Sequence, residues 1–179
     1  MEVPKSVQDK ARGRQPYKHG DQVIYEWEQS LEEVLMYLKP PSWAIPRNQK
    51  EMKKNLAPGQ KLPELYVNIE RDRIEIGVRP NPPFLNEELG GLVVKSESFW
   101  MIEDDELVIN LQKMRKAETW SCACKKHGDL DPFTKTEVQK KIMLERFQEE
   151  NPGFDFSGAQ FNGMVPDARS FMGGVSYTK

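Results

Sequence analysis

Cys122-x-Cys124-x-x-His127 offers three metal ligands in one short run. A structural zinc site wants four, typically from two paired knuckles, and ligand count is the first test of a site. His19 is the one other histidine and lies far along the chain, and no second cysteine pair exists. Two ordinary thiols at a strand end are the plainer reading, and no metal is expected. Glu103-Asp104-Asp105-Glu106 offers oxygen ligands for a hard cation. It lacks the spacing of a calcium loop, and a turn between two strands needs polar residues in any case. There is no Gly-x-Ser-x-Gly, no glycine-rich phosphate loop and no His-Glu-x-x-His. No nucleophile, base and oxyanion donor assemble into a catalytic constellation, and no cofactor is implied. Gly90-Gly91 and Gly173-Gly174 are lone pairs that read as bends. The chemistry left is recognition by apolar and basic side chains.

The elements that must position such side chains read mostly as strands. Residues 92–112 suggest a three-stranded meander with turns at Ser96-Glu97-Ser98 and Glu103-Asp104-Asp105-Glu106. Counting across those turns sets Val94 opposite Trp100, Leu92 opposite Ile102, Ile102 opposite Leu107 and Trp100 opposite Ile109. That shared face should be core, with Trp100 inside it, because large aromatics dominate core burial. On the other face Val93, Met101 and Val108 line up as an apolar row beside Phe99. Such a row is either a contact surface for partners or a patch covered by a helix through Val138, Ile142 or Phe147.

Elsewhere, Leu65, Val67 and Ile69 alternate with polar positions, as do Ile74, Ile76 and Val78 after a polar turn, which predicts a hairpin. Pro80, Pro82 and Pro83 follow as an extended linker. Residues 25–41 are ambiguous. Trp27, Leu31, Val34, Leu35 and Leu38 have helical spacing, whereas Val34, Met36 and Leu38 also alternate; period alone favours a helix. Residues 131–150 predict a helix capped by Asp131, with Pro132 first and Val138, Ile142 and Glu145 in one stripe.

Of the 179 residues, 37% are apolar and 30% charged, so the core spans only part of the chain. No run approaches the roughly 18 apolar residues of a membrane helix. The opening Met1-Glu-Val-Pro-Lys5 is no secretory signal, and two cysteines suit a reducing compartment, so cytoplasm is expected. The net charge of −2 speaks against nucleic acid, and no membrane contact is expected. That charge is uneven: residues 1–20 carry +3, residues 42–63 carry +4, and the remainder −9. Residues 1–20 read as a flexible basic tail, and 151–179 as an irregular tail holding Phe154, Phe156 and Phe161. Those phenylalanines either dock on the body or form a linear motif.

Three stretches resemble a known family. Tyr25-Glu-Trp-Glu-Gln-Ser-Leu-Glu-Glu-Val34 resembles the opening strand of CS domains. Ser98-Phe-Trp-Met-Ile-Glu-Asp-Asp-Glu-Leu107 resembles the Trp-x-Ile-Glu-Asp signature of the NudC-like family. Glu145-Arg-Phe-Gln-Glu-Glu-Asn-Pro-Gly-Phe-Asp-Phe-Ser-Gly-Ala159 is similar to the tail of one branch of that family. The resemblance implies an all-β fold, a seven-stranded antiparallel CS-type sandwich like the small heat-shock proteins, with a C-terminal helix and flexible tails. It implies a strand, not a helix, around Glu32–Leu38. The CS domain would span 21–125 and the helical region 126–150, with Trp27, Leu31, Trp100 and Ile102 as its core signature.

The same resemblance implies a non-enzymatic co-chaperone or adaptor. Its partners would be the heat-shock protein 90 chaperone and β-propeller clients such as the lissencephaly dynein regulator. The alternative is a structural component of microtubules or axonemes, and locations include centrosome, spindle and cilium. One departure stands out: residues 42–63 form a long basic insertion where the family has a short loop. Trp43, Lys50, Lys53 and Lys54 are its candidate contact residues. Its low apolar content predicts that it is dispensable for folding.

Overall fold

The computed structural model describes residues 13–153. Eight strands form two antiparallel sheets, followed by a helix. In chain order the strands are β1 (Gln15–His19), β2 (Gln22–Gln29), β3 (Glu33–Leu38), β4 (Glu64–Ile69), β5 (Arg73–Arg79), β6 (Leu85–Glu88), β7 (Phe99–Glu103) and β8 (Glu106–Gln112). One sheet has the order β1-β2-β3-β8-β7 and the other β4-β5-β6. Among the described residues the count is eight rather than seven. Gln15–His19, inside the segment expected to be a flexible tail, is one of the eight. It is poor in aliphatic side chains, and aromatic stacking orders it instead: Tyr17 lies flat on the His127 ring with centroids 3.9 Å apart.

The core lies between the sheets. Tyr25 and Trp27 from β2, Val34, Met36 and Leu38 from β3, and Leu107, Ile109 and Leu111 from β8 meet Val67, Ile74, Ile76 and Leu85 of the smaller sheet. Period 2 therefore governs residues 22–38, as the family resemblance implies and against the helical spacing. The strand period is hard to read in sequence because one inward position of β2 is polar: Gln29 is 5% exposed. Its amide Nε2 donates to Trp120 O at 2.8 Å, and its Oε1 accepts from Trp120 N at 2.8 Å and from Lys113 Nζ at 3.1 Å. Gln29 thus does for the 116–124 loop what a neighbouring strand would do.

The hairpin β4–β5 falls where alternation places it, with Val67 opposite Ile76. The β7–β8 turn is also as counted. Ile102 faces Leu107 and Trp100 faces Ile109, while Asp104 and Asp105 take positive φ (51° and 62°), as a two-residue hairpin turn requires.

The first third of the expected meander is not a strand of that sheet. Val93 N donates to Arg71 O, in the β4–β5 turn, and Val94 N donates to Gln112 O. Residues 92–94 therefore cross between the two sheets, and Lys95–Glu97 form a 3-10 turn. The pairings of Val94 with Trp100 and of Leu92 with Ile102 do not exist. Val93, expected on the outer face, is fully buried in the core.

The insertion holds two short 3-10 turns and a one-turn helix α1 (Lys50–Lys54). It is not a free loop, because Ala44, Ile45 and Gln49 are buried. The long helix α2 (Pro132–Glu150) starts where expected, with Asp131 accepting from Thr134 N at 2.9 Å and Pro132 first. Its stripe of Val138 and Ile142 packs on Leu31, with Ala117 and Leu130 beside it. Glu145 accepts the Leu31 N–H at 3.0 Å. Leu31 is therefore buried under the helix, outside the sandwich core. The helix sits at the β2–β3 turn and does not cover the outer row on β7 and β8.

Candidate protein-binding surfaces

Strand alternation decides which side chains face outward. In β8 the inward residues are Leu107, Ile109 and Leu111, so Val108 points out; its pair Met101 and, two positions along β7, Phe99 point the same way. Met101 and Phe99 are 44% and 48% exposed. Tyr37 of β3 is the next partner of Val108 across the sheet. The guanidinium of Arg14 lies 3.4 Å from the Tyr37 ring centroid. The Tyr37 hydroxyl donates to Glu28 Oε1 at 2.8 Å, and burial, reinforced by that carboxylate, pushes its pKa up to about 12. The observed row is Tyr37–Val108–Met101, with Phe99 beside it. The expected row ended on Val93 beside Met101; Val93 is in the core, and the row continues instead from Val108 to Tyr37 on the other side.

Trp100 is on the inward side of β7, yet it is 36% exposed and is not the core residue expected. β7 is an edge strand, and so is β4 of the smaller sheet. The two edges leave an open groove between Trp100 and the strand that carries Val67 and Ile69. Ile102, half-buried, packs against the core margin.

A second apolar surface lies where the sandwich opens at the start of β2. A groove of about 630 Å³ has Val23, Trp43 and Phe84 on its walls, together with Leu38, Leu65 and Val78 from both sheets. Val23, Trp43 and Phe84 are each more than 40% exposed. Trp43 comes from the insertion, Val23 from β2 and Phe84 from the segment before β6.

The Cys122–Cys124–His127 run is a packing feature. Both thiols are buried. Burial pushes the Cys124 thiol up to about 12 and raises that of Cys122 as well, so neither favours the thiolate that binds metals. His127 Nδ1 is 2.7 Å from the Tyr25 hydroxyl, and its ring is stacked on Tyr17. Among the described residues no three His, Cys, Asp or Glu side chains converge on a metal position. Asp105 of the acidic turn is paired with Arg47, and Glu106 with Arg14.

Comparison with known proteins gives this geometry its context. Residues 23–113 match the CS domain model. The human NudC domain-containing protein 2 is 30% identical over 141 residues, covering 77% of this chain and 79% of the relative. The chain belongs to the NudC-like family. The Drosophila melanogaster nuclear migration protein nudC is 28% identical, over 77% of this chain and 48% of that protein. The crystal structure of mouse NudC domain-containing protein 2 is 23% identical over 81% of this chain and 98% of that one, with a TM-score of 0.36.

In this NudC-like chain the opening motif acquires a physical meaning. Trp27, Gln29 and Leu31 are alternate positions along one segment. Trp27 fills the core, Gln29 clamps the Trp120 backbone, and Leu31 seats helix α2. Phe99, Met101 and Val108 share the outer face as expected, while Lys50, Lys53 and Lys54 are exposed on α1. Phe154 and Phe156 lie outside the described residues. Sequence reasoning missed Val23 and Phe84, which single exposed apolar residues cannot announce, and also Lys113. Lys113 is 4% exposed, and its ammonium donates to Gln29 Oε1, Ser30 O and Glu118 O.

Proposed function

We propose that this NudC-like chain is a non-enzymatic protein-binding module, a cytoplasmic co-chaperone or adaptor working with the heat-shock protein 90 chaperone on β-propeller and dynein-pathway clients. The observation that carries the reading is the outward apolar row of Met101 and Val108 beside Phe99, left uncovered by helix α2. A sandwich sheet with one wet face should be polar there, and exposed apolar clusters mark contact sites. Methionine at the centre suits a surface that adapts to several clients. The relatives' names, nuclear migration and nuclear movement proteins, support a place in the dynein pathway; centrosome, spindle or cilium are the locations where such a role would be exercised.

The test is Met101→Asp. Met101 is half in water, so the variant should keep its melting temperature within a few degrees, a loss of about 1 kcal/mol or less. It should lose binding to purified heat-shock protein 90 and to an isolated β-propeller client. A variant that still binds both at full strength removes the outer row from the mechanism. A second reading is a structural component of microtubules or axonemes, favoured by the exposed lysines of α1. Sedimentation with microtubules that reverses only at high salt would select it.

A further inference from the structure

The end groove and the basic insertion are one structure. Gln49 Nε2 donates to Trp43 O at 3.0 Å and to Pro63 O at 2.8 Å, and Asn48 Nδ2 donates to Ser42 O at 3.0 Å. Gln49 therefore ties the two ends of the insertion together and fixes Trp43 on the rim. Lys50, the next residue, opens the exposed helix α1. Of the insertion's cations, Arg47 pairs with Asp105 and Lys54 with Glu51. Among the described residues Lys50, Lys53 and Lys61 have no acidic partner within salt-bridge distance, and all three are exposed. The groove wall itself is near neutral: it carries Lys39, Glu26 and Glu106, the last paired with Arg14 at 3.2 Å.

We propose that this groove binds an acidic linear segment of a partner protein, seating a bulky apolar anchor between Val23, Trp43 and Phe84 and its carboxylates on the Lys50–Lys53 face of the insertion. The site is distinct from the outer row of Met101 and Val108. A volume of about 630 Å³ takes a few side chains, not the surface of a folded domain. Its aromatic and apolar walls provide the kind of pocket in which a binding hot spot forms. Unpaired cations on the insertion that supplies Trp43, outside the groove's own lining, select a partner by charge and speed its arrival. The three exposed wall residues Val23, Trp43 and Phe84 come from three separate chain segments, and of these only Trp43 belongs to the insertion. The insertion thus adds charge selection to a pocket that the sandwich already has.

The test uses the full chain and a fluorescein-labelled peptide with a Leu-Phe pair flanked by aspartates. Its controls are a lysine-flanked twin and an aspartate peptide without the pair. Fluorescence polarisation should show binding of the first peptide alone. Trp43→Ala, Phe84→Ala and the double variant Lys50→Glu/Lys53→Glu should each weaken it by about tenfold or more. Added salt should weaken binding to the parent chain and should not weaken it in the lysine variant, where it screens the repulsion between the new glutamates and the peptide's aspartates. Trp43 and Phe84 are well exposed, so melting temperatures should hold; if one variant fails to fold, the other carries the test. Equal binding of the lysine-flanked twin, or full affinity in Phe84→Ala, overturns the proposal. So does self-association in sedimentation that Phe84→Ala abolishes, which would assign the groove to a second copy. Binding that emerges only after deletion of residues 154–179 would assign it to the chain's own C-terminal segment.

Discussion

Replacing Gln29 by leucine tests whether the polar clamp in β2 holds the 116–124 loop. Trp120 is 1% exposed, and its backbone N–H and C=O both end on the Gln29 amide. Leucine has nearly the right size but leaves those two groups and one Lys113 bond without partners. A buried unsatisfied group costs about 1–3 kcal/mol, and the added apolar contact returns only part of that. The expected net loss is about 3–4 kcal/mol, which for a chain of this size lowers the melting temperature by about 10 °C. Denaturant unfolding and thermal melts read it directly.

Lys113 supplies a second readout from the same network. Burial depresses its pKa from 10.5 to about 8, with Glu118 and Glu145 opposing part of the shift. Between those values the unfolded chain holds a proton that the folded chain has lost, so stability should rise with pH from about 8 to 10.5. The full depression corresponds to about 3 kcal/mol. Gln29→Glu places a carboxylate beside the ammonium, raises its folded pKa, and should flatten that alkaline rise. A Gln29→Leu protein melting within about 2 °C of the parent would refute the clamp, since the orphaned groups would then carry no cost.

Two further changes probe neighbouring features. Gly90→Ala should destabilise by about 2–4 kcal/mol in denaturant unfolding, because an added Cβ would lie 1.9 Å from the Cys122 carbonyl oxygen; the pair Gly90-Gly91 marks close packing as well as a bend. Ile45→Ala should cost about 2–3 kcal/mol while Lys53→Ala costs almost nothing, so a Gly-Ser replacement of residues 42–63 should not be neutral.

What the sequence discloses depends on how plainly a side chain's burial follows its polarity. The β4–β5 hairpin is legible because Val67, Ile74 and Ile76 alternate with polar neighbours. The β7–β8 register is legible because a two-residue turn fixes it, and that register alone puts Met101 and Val108 on one face. Residues 25–38 resist the same reading because Gln29 occupies a core position and breaks the apolar alternation. Residues 92–94 resist it because a three-residue crossing between sheets has the composition of a strand without its pairing. Trp100 shows a different limit: inward direction is set by register, but cover depends on the opposite sheet, which stops short of the β7 edge. The end groove was invisible because Val23, Trp43 and Phe84 are far apart in sequence and meet only through topology.

Stability and recognition occupy different parts of this sandwich, and that separation can be measured. Gln29 lies on β2 and Met101 on β7, with β3 and β8 between them. Three strand spacings place them at least ~14 Å apart, and they face opposite sides of the sheet. Sites farther apart than about 7–10 Å with no shared partner contribute additively. The double variant Gln29→Leu/Met101→Asp should therefore lose the sum of the two single stability changes, within about 0.5 kcal/mol. Below its melting transition, Gln29→Leu alone should keep parent affinity for the client, and the double variant should bind no worse than Met101→Asp alone. A coupling of more than about 1 kcal/mol in stability would mean that the outer row is held in place by the clamp. Loss of client binding in folded Gln29→Leu would mean that the contact surface extends to the 116–124 loop.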